Sequence, residues 1–218
     1  AARKELPEGP PIKHLRLGDG QFTAEHFEAI AKVPSIRSVS FYLARAAQVG
    51  RDGVPDILQG VTAAREEPIA GGRHKVFGNH ALAVIPQTST IASHVPRAVG
   101  VAFAIERARK LGVESAWPPD AVVVCTFGDA SVNHAAAQAG LNSAAHLAHQ
   151  GLPVPLLFVC EDNRLGISVR SPEGWVESAL RARPALRYAA ASGDDPEVTL
   201  ETAEDLVDRI REERRPGV

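Results

Sequence analysis

Two short apolar runs dominate the pattern of hydrophobic and polar positions, AVVVCTF at 121–127 and LLFVC at 156–160. Both are continuous rather than alternating, and the first is rich in β-branched residues. That pattern predicts strands covered on both faces. Between them, 133–150 reads as a helix. Pro96 opens an Ala- and Val-rich helix that runs to Gly112, with proline in its first turn and glycine past its end as helices prefer. Leu200, Ala203, Leu206, Val207 and Ile210 recur at helical spacing and predict a closing helix over 195–215. Upstream the signal thins. Thr23 can cap a helix running to 32, with Phe27 and Ile30 on one side, and 56–64 reads as another. Residues 37–45 are mixed. The stretch 68–80, PIAGGRHKVFGNH, is a basic loop too rich in glycine for a regular element.

Composition narrows the class. The chain has 218 residues, 44% hydrophobic and 23% charged, with a net charge of −2. It is long enough to bury a core without disulfide or metal staples. The charge balance recommends neither nucleic acid nor an anionic membrane as partner. No apolar run approaches the ~20 residues that span a bilayer. Two cysteines make no disulfide framework and suit a reducing compartment, so a soluble, cytoplasmic protein is expected. The absence of methionine suggests a processed chain or a piece of a longer one.

The two strands and the helix between them form one βαβ unit, which makes the strands parallel. Open α/β sheets bind ligands beyond the carboxyl ends of their strands. Here those ends read Gly128-Asp129-Ala130-Ser131 and Glu161-Asp162-Asn163-Arg164-Leu165-Gly166. The Asp129 carboxylate, the Asn163 amide and backbone carbonyls are hard oxygen donors, which suit Mg²⁺. Gly128 permits a tight turn, and a helix start near Ser131 offers donors to a phosphate. Spacing alone leaves two readings open. One is a Mg²⁺–diphosphate site; the other is a helix cap at Asp129 and a turn at Asn163.

The stretch GDASVNHAAAQAGLNSAAHLAHQGLPVPLLFVCEDNRLGIS resembles the thiamin-diphosphate motif, which opens with Gly-Asp-Gly and closes at Asn-Asn. With IPQTSTIASHVPRAVGVAFA before it, the chain resembles the α part of the E1 component of 2-oxo acid dehydrogenase complexes, most closely the branched-chain class. The resemblance runs from Gly71 to Val218 and more faintly back to Arg51. It implies a doubly wound, mostly parallel α/β sheet with helices on both faces over 36–218, truncated at its C-terminus, after an unassigned stretch 1–35. It further implies oxidative decarboxylation of a 2-oxo acid with acyl transfer to a lipoyl group. Its cofactors would be thiamin diphosphate and Mg²⁺. Its partners would be an E1 β part and a lipoyl-bearing E2, in a homodimer or α₂β₂ assembly.

Carried over by position, Asp129, Asn163 and the Leu165 carbonyl would bind Mg²⁺, while Ala130, Ser131 and Gly166 would line the diphosphate. Ser89 and Ile91 fall where backbone holds the aminopyrimidine, and Arg51 fits an arginine that reaches the diphosphate. Thr88, Ser93 and His94 fall where branched-chain members hold potassium. No catalytic residue is assigned, because the activating glutamate belongs to the β part and a diphosphate-binding histidine loop is expected beyond Pro216-Gly217. The chain departs from the pattern in five places, one of them Gly50 where a tyrosine precedes the arginine. Ala130 replaces the second glycine, where a left-handed backbone would be strained. Asp162 replaces an asparagine, Glu161 replaces an arginine, and the motif is longer by roughly one helical turn. Alternatives are a transketolase-like or acetoin-cleaving enzyme, or a non-catalytic scaffold that keeps the fold.

Other signals read as structural. Gly18-Asp19-Gly20 follows no buried strand and is a turn. His146 and His149 lie one turn apart, but His134 is roughly 18 Å away along the helix, so no third ligand is in reach. Cys125 and Cys160 are core residues. His74, in Gly71-Gly72-Arg73-His74-Lys75, is a candidate for contact with a substrate carboxylate or an anionic cofactor.

Overall fold

The computed structural model describes residues 14–16, 38–40, 59, 62–73, 76–79, 83–166 and 168–218. The helix expected over 23–32, Arg51 and His74 lie outside them. The chain divides into two compact units, Ala1–Ser89 and Thr90–Val218.

In the first unit, β1 (His14–Arg16) pairs in parallel with β2 (Ser38–Ser40), and β3 (Phe77–Asn79) pairs antiparallel with β4 (Val84–Gln87). The loop expected over 68–80 therefore ends in a strand. Gly78 allows it, because a Cβ there would lie 2.8 Å from the Pro86 Cα across the ladder. Turns occupy 68–72, and Gly71 and Gly72 take left-handed angles. Of the helix expected over 56–64, Gln59 is helical, whereas Thr62 and Ala63 form a turn, with Ala63 at φ 52°.

The second unit carries the main core. Its helix α1 (His94–Leu111) ends on Gly112 at φ 64°, whose N–H caps the last carbonyls. After β5 (Val123–Gly128) and a 3₁₀ turn (Asp129–Ser131) come α2 (Ala135–His149) and β6 (Leu156–Glu161). β5 and β6 are parallel, with Val123 opposite Leu156 and Gly128 opposite Glu161, as the βαβ pattern requires. A small hairpin follows, β7 (Leu165–Gly166) with β8 (Val169–Arg170), then α3 (Trp175–Arg181) and α4 (Pro196–Glu213). Asp195 caps α4, its carboxylate accepting the Val198 N–H at 3.1 Å. Gly217 bridges in parallel to Leu157 of β6 and, on its other side, to Arg187.

The alternation of side chains along β6 divides the core. Leu156 and Phe158 pack with Val95, Val99, Ala137 and Leu141 of α1 and α2, whereas Leu157 packs with Leu206 and Ile210 of α4. Helices thus cover both faces of β6. β5 differs from expectation, because Cys125 and Phe127 are buried but Val124 is 53% exposed. The polar character of Thr126 matches that half-open face.

α1 and α2 approach closely because Gly140 faces the start of α1. A Cβ at 140 would lie 2.7 Å from Val95 Cγ1 and 2.9 Å from the Pro96 nitrogen. Backbone cannot move aside cheaply, so Gly140→Ala is expected to destabilise the fold by about 1–3 kcal/mol, the usual range for overpacking. Urea unfolding should show a lower midpoint at unchanged slope.

Candidate functional site

The rim is built where β5 and β6 end side by side. Asp129 is the first residue after β5 and is only 5% exposed. It does not cap α2; His134 does, its Nδ1 accepting the Ala136 N–H at 3.2 Å. Asp129 Oδ2 instead accepts a hydrogen bond from the Ser171 hydroxyl. Among the described residues no Lys, Arg or His pairs with this carboxylate. A buried carboxylate held by a single neutral hydroxyl is costly, and its Oδ1 retains capacity for a cation.

The backbone here corrects two expectations. Gly128 has φ −83° and ψ 162°, an extended conformation open to any residue, so it makes no tight turn. A Cβ on it would meet only the Glu161 carbonyl, at 4.0 Å. Among the described residues nothing sterically requires glycine there, and the space beside the strand end is open. Ala130 lies in the 3₁₀ turn and is not among the left-handed residues, so the strain expected there is absent. The helix proper begins at Ala135, later than Ser131. The first amides of the 3₁₀ turn have no acceptor within it.

The second half of the rim is a chain of local turns. Asp162 Oδ1 accepts the Arg164 N–H at 2.9 Å and Asn163 Oδ1 accepts the Leu165 N–H at 2.8 Å. Arg164 takes φ 61° between them. Asn163 therefore does shape a turn, and its amide oxygen keeps a second lone pair. β7 then packs on the 3₁₀ turn, and a Cβ on Gly166 would lie 3.8 Å from that of Ala130. Asp129, Ala130, Ser131 and Gly166 are thus brought together, with Leu165 beside them and Asn163 leading in.

The remaining candidates are placed separately. Ser89 is an exposed residue of the first unit, and Ile91 an exposed residue of the second. Thr88 belongs to the first unit. Ser93 Oγ donates to the Thr90 carbonyl at 2.9 Å, and His94 Nε2 donates to the Thr126 carbonyl of β5 at 2.8 Å. His146 and His149 are exposed, and among the described residues no three His, Cys, Asp or Glu side chains cluster as metal ligands.

The rim is electrically negative. Burial, then Asp162, Asp129 and Glu161, push the Cys160 thiol up to about 12. Burial does the same at Cys125, only partly offset by Arg97. The ordinary thiol value is 9.0, so the stability tied to neutral buried thiols is complete below about pH 9. It fades as pH rises toward 12. At pH 8 both cysteines should resist a thiol-alkylating reagent in the folded protein and react at the free-thiol rate once urea unfolds it.

A parallel strand pair with helices packed on both faces of β6, ending on a carboxylate beside a turn-rich loop, is an α/β arrangement. The sequence profile described as "Dehydrogenase E1 component" matches residues 30–217, and the chain belongs to that family. It is 27% identical over 167 residues to the 2-oxoisovalerate dehydrogenase subunit alpha of Bacillus subtilis, covering 74% of this chain and 46% of that protein. It is 32% identical over 96 residues to the mitochondrial 2-oxoisovalerate dehydrogenase subunit alpha of Homo sapiens, covering 44% of this chain and 18% of that one. A mitochondrial alpha 2 subunit of Arabidopsis thaliana is also 32% identical, over 92 residues, 42% of this chain and 16% of the relative. The chain thus spans less than half the length of these relatives.

Sequence reasoning missed Ser171 and the buried Glu106–Arg214 pair. Neither has a local signal, since each partner is supplied by a distant part of the chain. Pro172 hints at Ser171 only by holding its backbone extended.

Proposed function

We propose that this chain is the thiamin-diphosphate- and Mg²⁺-binding α part of an E1 2-oxo acid dehydrogenase. It would act with an E1 β part and a lipoyl-bearing E2, in a homodimer or α₂β₂ assembly. The observation that carries the reading is the buried Asp129 carboxylate, without a cationic partner among the described residues, at a rim whose other donors are hard oxygens. Family membership supports it, as does the open space beside Gly128 at the strand end. Residues 36–218 form the cofactor domain, with the doubly wound fold that helices on both faces of β6 favour. Free, high-pKa thiols suit a reducing compartment such as the cytoplasm.

In this reading Asp129, Asn163 and the Leu165 carbonyl hold Mg²⁺, which neutralises the diphosphate. The amides around Ala130 and Ser131 donate to phosphate oxygens, and Gly166 lets the backbone approach them. Backbone at Ile91 orients the aminopyrimidine. When bound, thiamin diphosphate supplies the carbanion and electron sink that decarboxylation of a 2-oxo acid needs. The protein's part is binding, orientation and exclusion of water.

Glu161 favours a second reading. It ends β6 opposite Gly128, a negative charge where a diphosphate would lie, as in a scaffold that has given up its cofactor. The complete natural protein, assayed with its β part, a 2-oxo acid and a lipoyl domain, decides between them. Mg²⁺- and cofactor-dependent acylation of the lipoyl group is the expected result. Ketol transfer or acetoin cleavage would assign a different thiamin enzyme, and absence of cofactor binding would leave the scaffold.

A further inference from the structure

Beyond the residues that would touch the metal, one side chain ties the two halves of the rim together. Ser171 stands just after β8, its backbone N–H donating to the Arg164 carbonyl at 3.0 Å and closing the base of the hairpin. Its hydroxyl reaches back across the sheet edge to Asp129 Oδ2. That bond occupies one carboxylate oxygen and leaves Oδ1 for a cation. It also fastens the segment that carries Asn163 and Leu165 to the turn that carries Asp129. β7 packs on that turn, but the hairpin has only two short strands and exposes Leu165 and Val169. Little apolar burial therefore holds it down, and one hydrogen bond to a buried carboxylate matters more.

We infer that Ser171 is a positioning residue for the metal site: its hydroxyl orients the Asp129 carboxylate and latches the 162–171 segment onto the rim. This inference rests on the Mg²⁺–diphosphate reading. Groups that orient a metal's ligands typically change affinity by about 10–100-fold when removed, and Ser171 is expected to behave so.

The test is calorimetric titration of Mg²⁺ with thiamin diphosphate into the complete natural protein, comparing wild type, Ser171→Ala and Ser171→Thr. Ser171→Ala should weaken Mg²⁺-dependent binding at least about 10-fold, and Ser171→Thr, which keeps a β-hydroxyl, should restore most of it. Amide exchange without cofactor should be faster across 165–171 in Ser171→Ala, even if that variant is too weak to titrate. Wild-type binding with an unaffected Ser171→Ala would overturn the latch alone. Equal losses in Ala and Thr would also overturn it, because side-chain size and not the hydroxyl would then be at work. A wild type that binds no Mg²⁺–diphosphate would remove the underlying reading, and the latch with it.

Discussion

Glu106→Ala and Arg214→Ala should each lower the free energy of unfolding by about 3–5 kcal/mol, the usual loss when one member of a buried ion pair is removed. The Glu106 side chain is 2% exposed and that of Arg214 14%. Arg214 Nε donates to Glu106 Oε1 at 2.6 Å, and its terminal nitrogens donate to the carbonyls of Asp120, Pro119 and Ala121 at 3.0–3.1 Å. One guanidinium therefore ties α1, the entry to β5 and the end of α4. Arg109 also bonds Glu106, at 2.9 Å, but from the exposed side. It can shield the carboxylate without replacing the carbonyl contacts. Lysine at 214 keeps charge but not the planar fork, so Arg214→Lys should recover only part of the loss. Denaturant unfolding of the three variants checks all of this.

Asp129→Asn should separate function from stability. Removing a buried charge whose one partner among the described residues is a hydroxyl should leave the fold as stable as before, or more so. Mg²⁺-dependent binding of thiamin diphosphate should fall by on the order of 100-fold or more, since the variant loses the one carboxylate among the proposed ligands. Thermal melts and titration of the same sample give both answers. A clear drop in stability with cofactor binding intact would assign Asp129 to structure alone.

What the sequence made legible was whatever is local and periodic. The runs at 121–127 and 156–160 read as strands because apolar side chains there are nearly continuous, and the helix between them followed from spacing and connection rules. Their parallel pairing put Asp129 and the 161–166 loop on one edge, which is most of the candidate site. The errors came from context. Val124 looks like a buried strand residue, but α4 packs on β6, leaving the face of β5 where Val124 lies half-open. Phe77–Asn79 looked like loop because a glycine-rich segment carries little strand propensity, yet Pro86 sits so close to Gly78 that only glycine fits. Ser171 and Arg214 were invisible because their roles depend on partners 42 and 108 residues away.

The most direct test of the central claim is a crystal structure of the complete natural protein grown with thiamin diphosphate and Mn²⁺ as an anomalous stand-in for Mg²⁺. One anomalous peak is expected at the rim, bound by Asp129, Asn163 and the Leu165 carbonyl at about 2.1 Å, with diphosphate oxygens completing an octahedron. A diphosphate bound elsewhere, or an ion that leaves Asp129 on Ser171 alone, would contradict it.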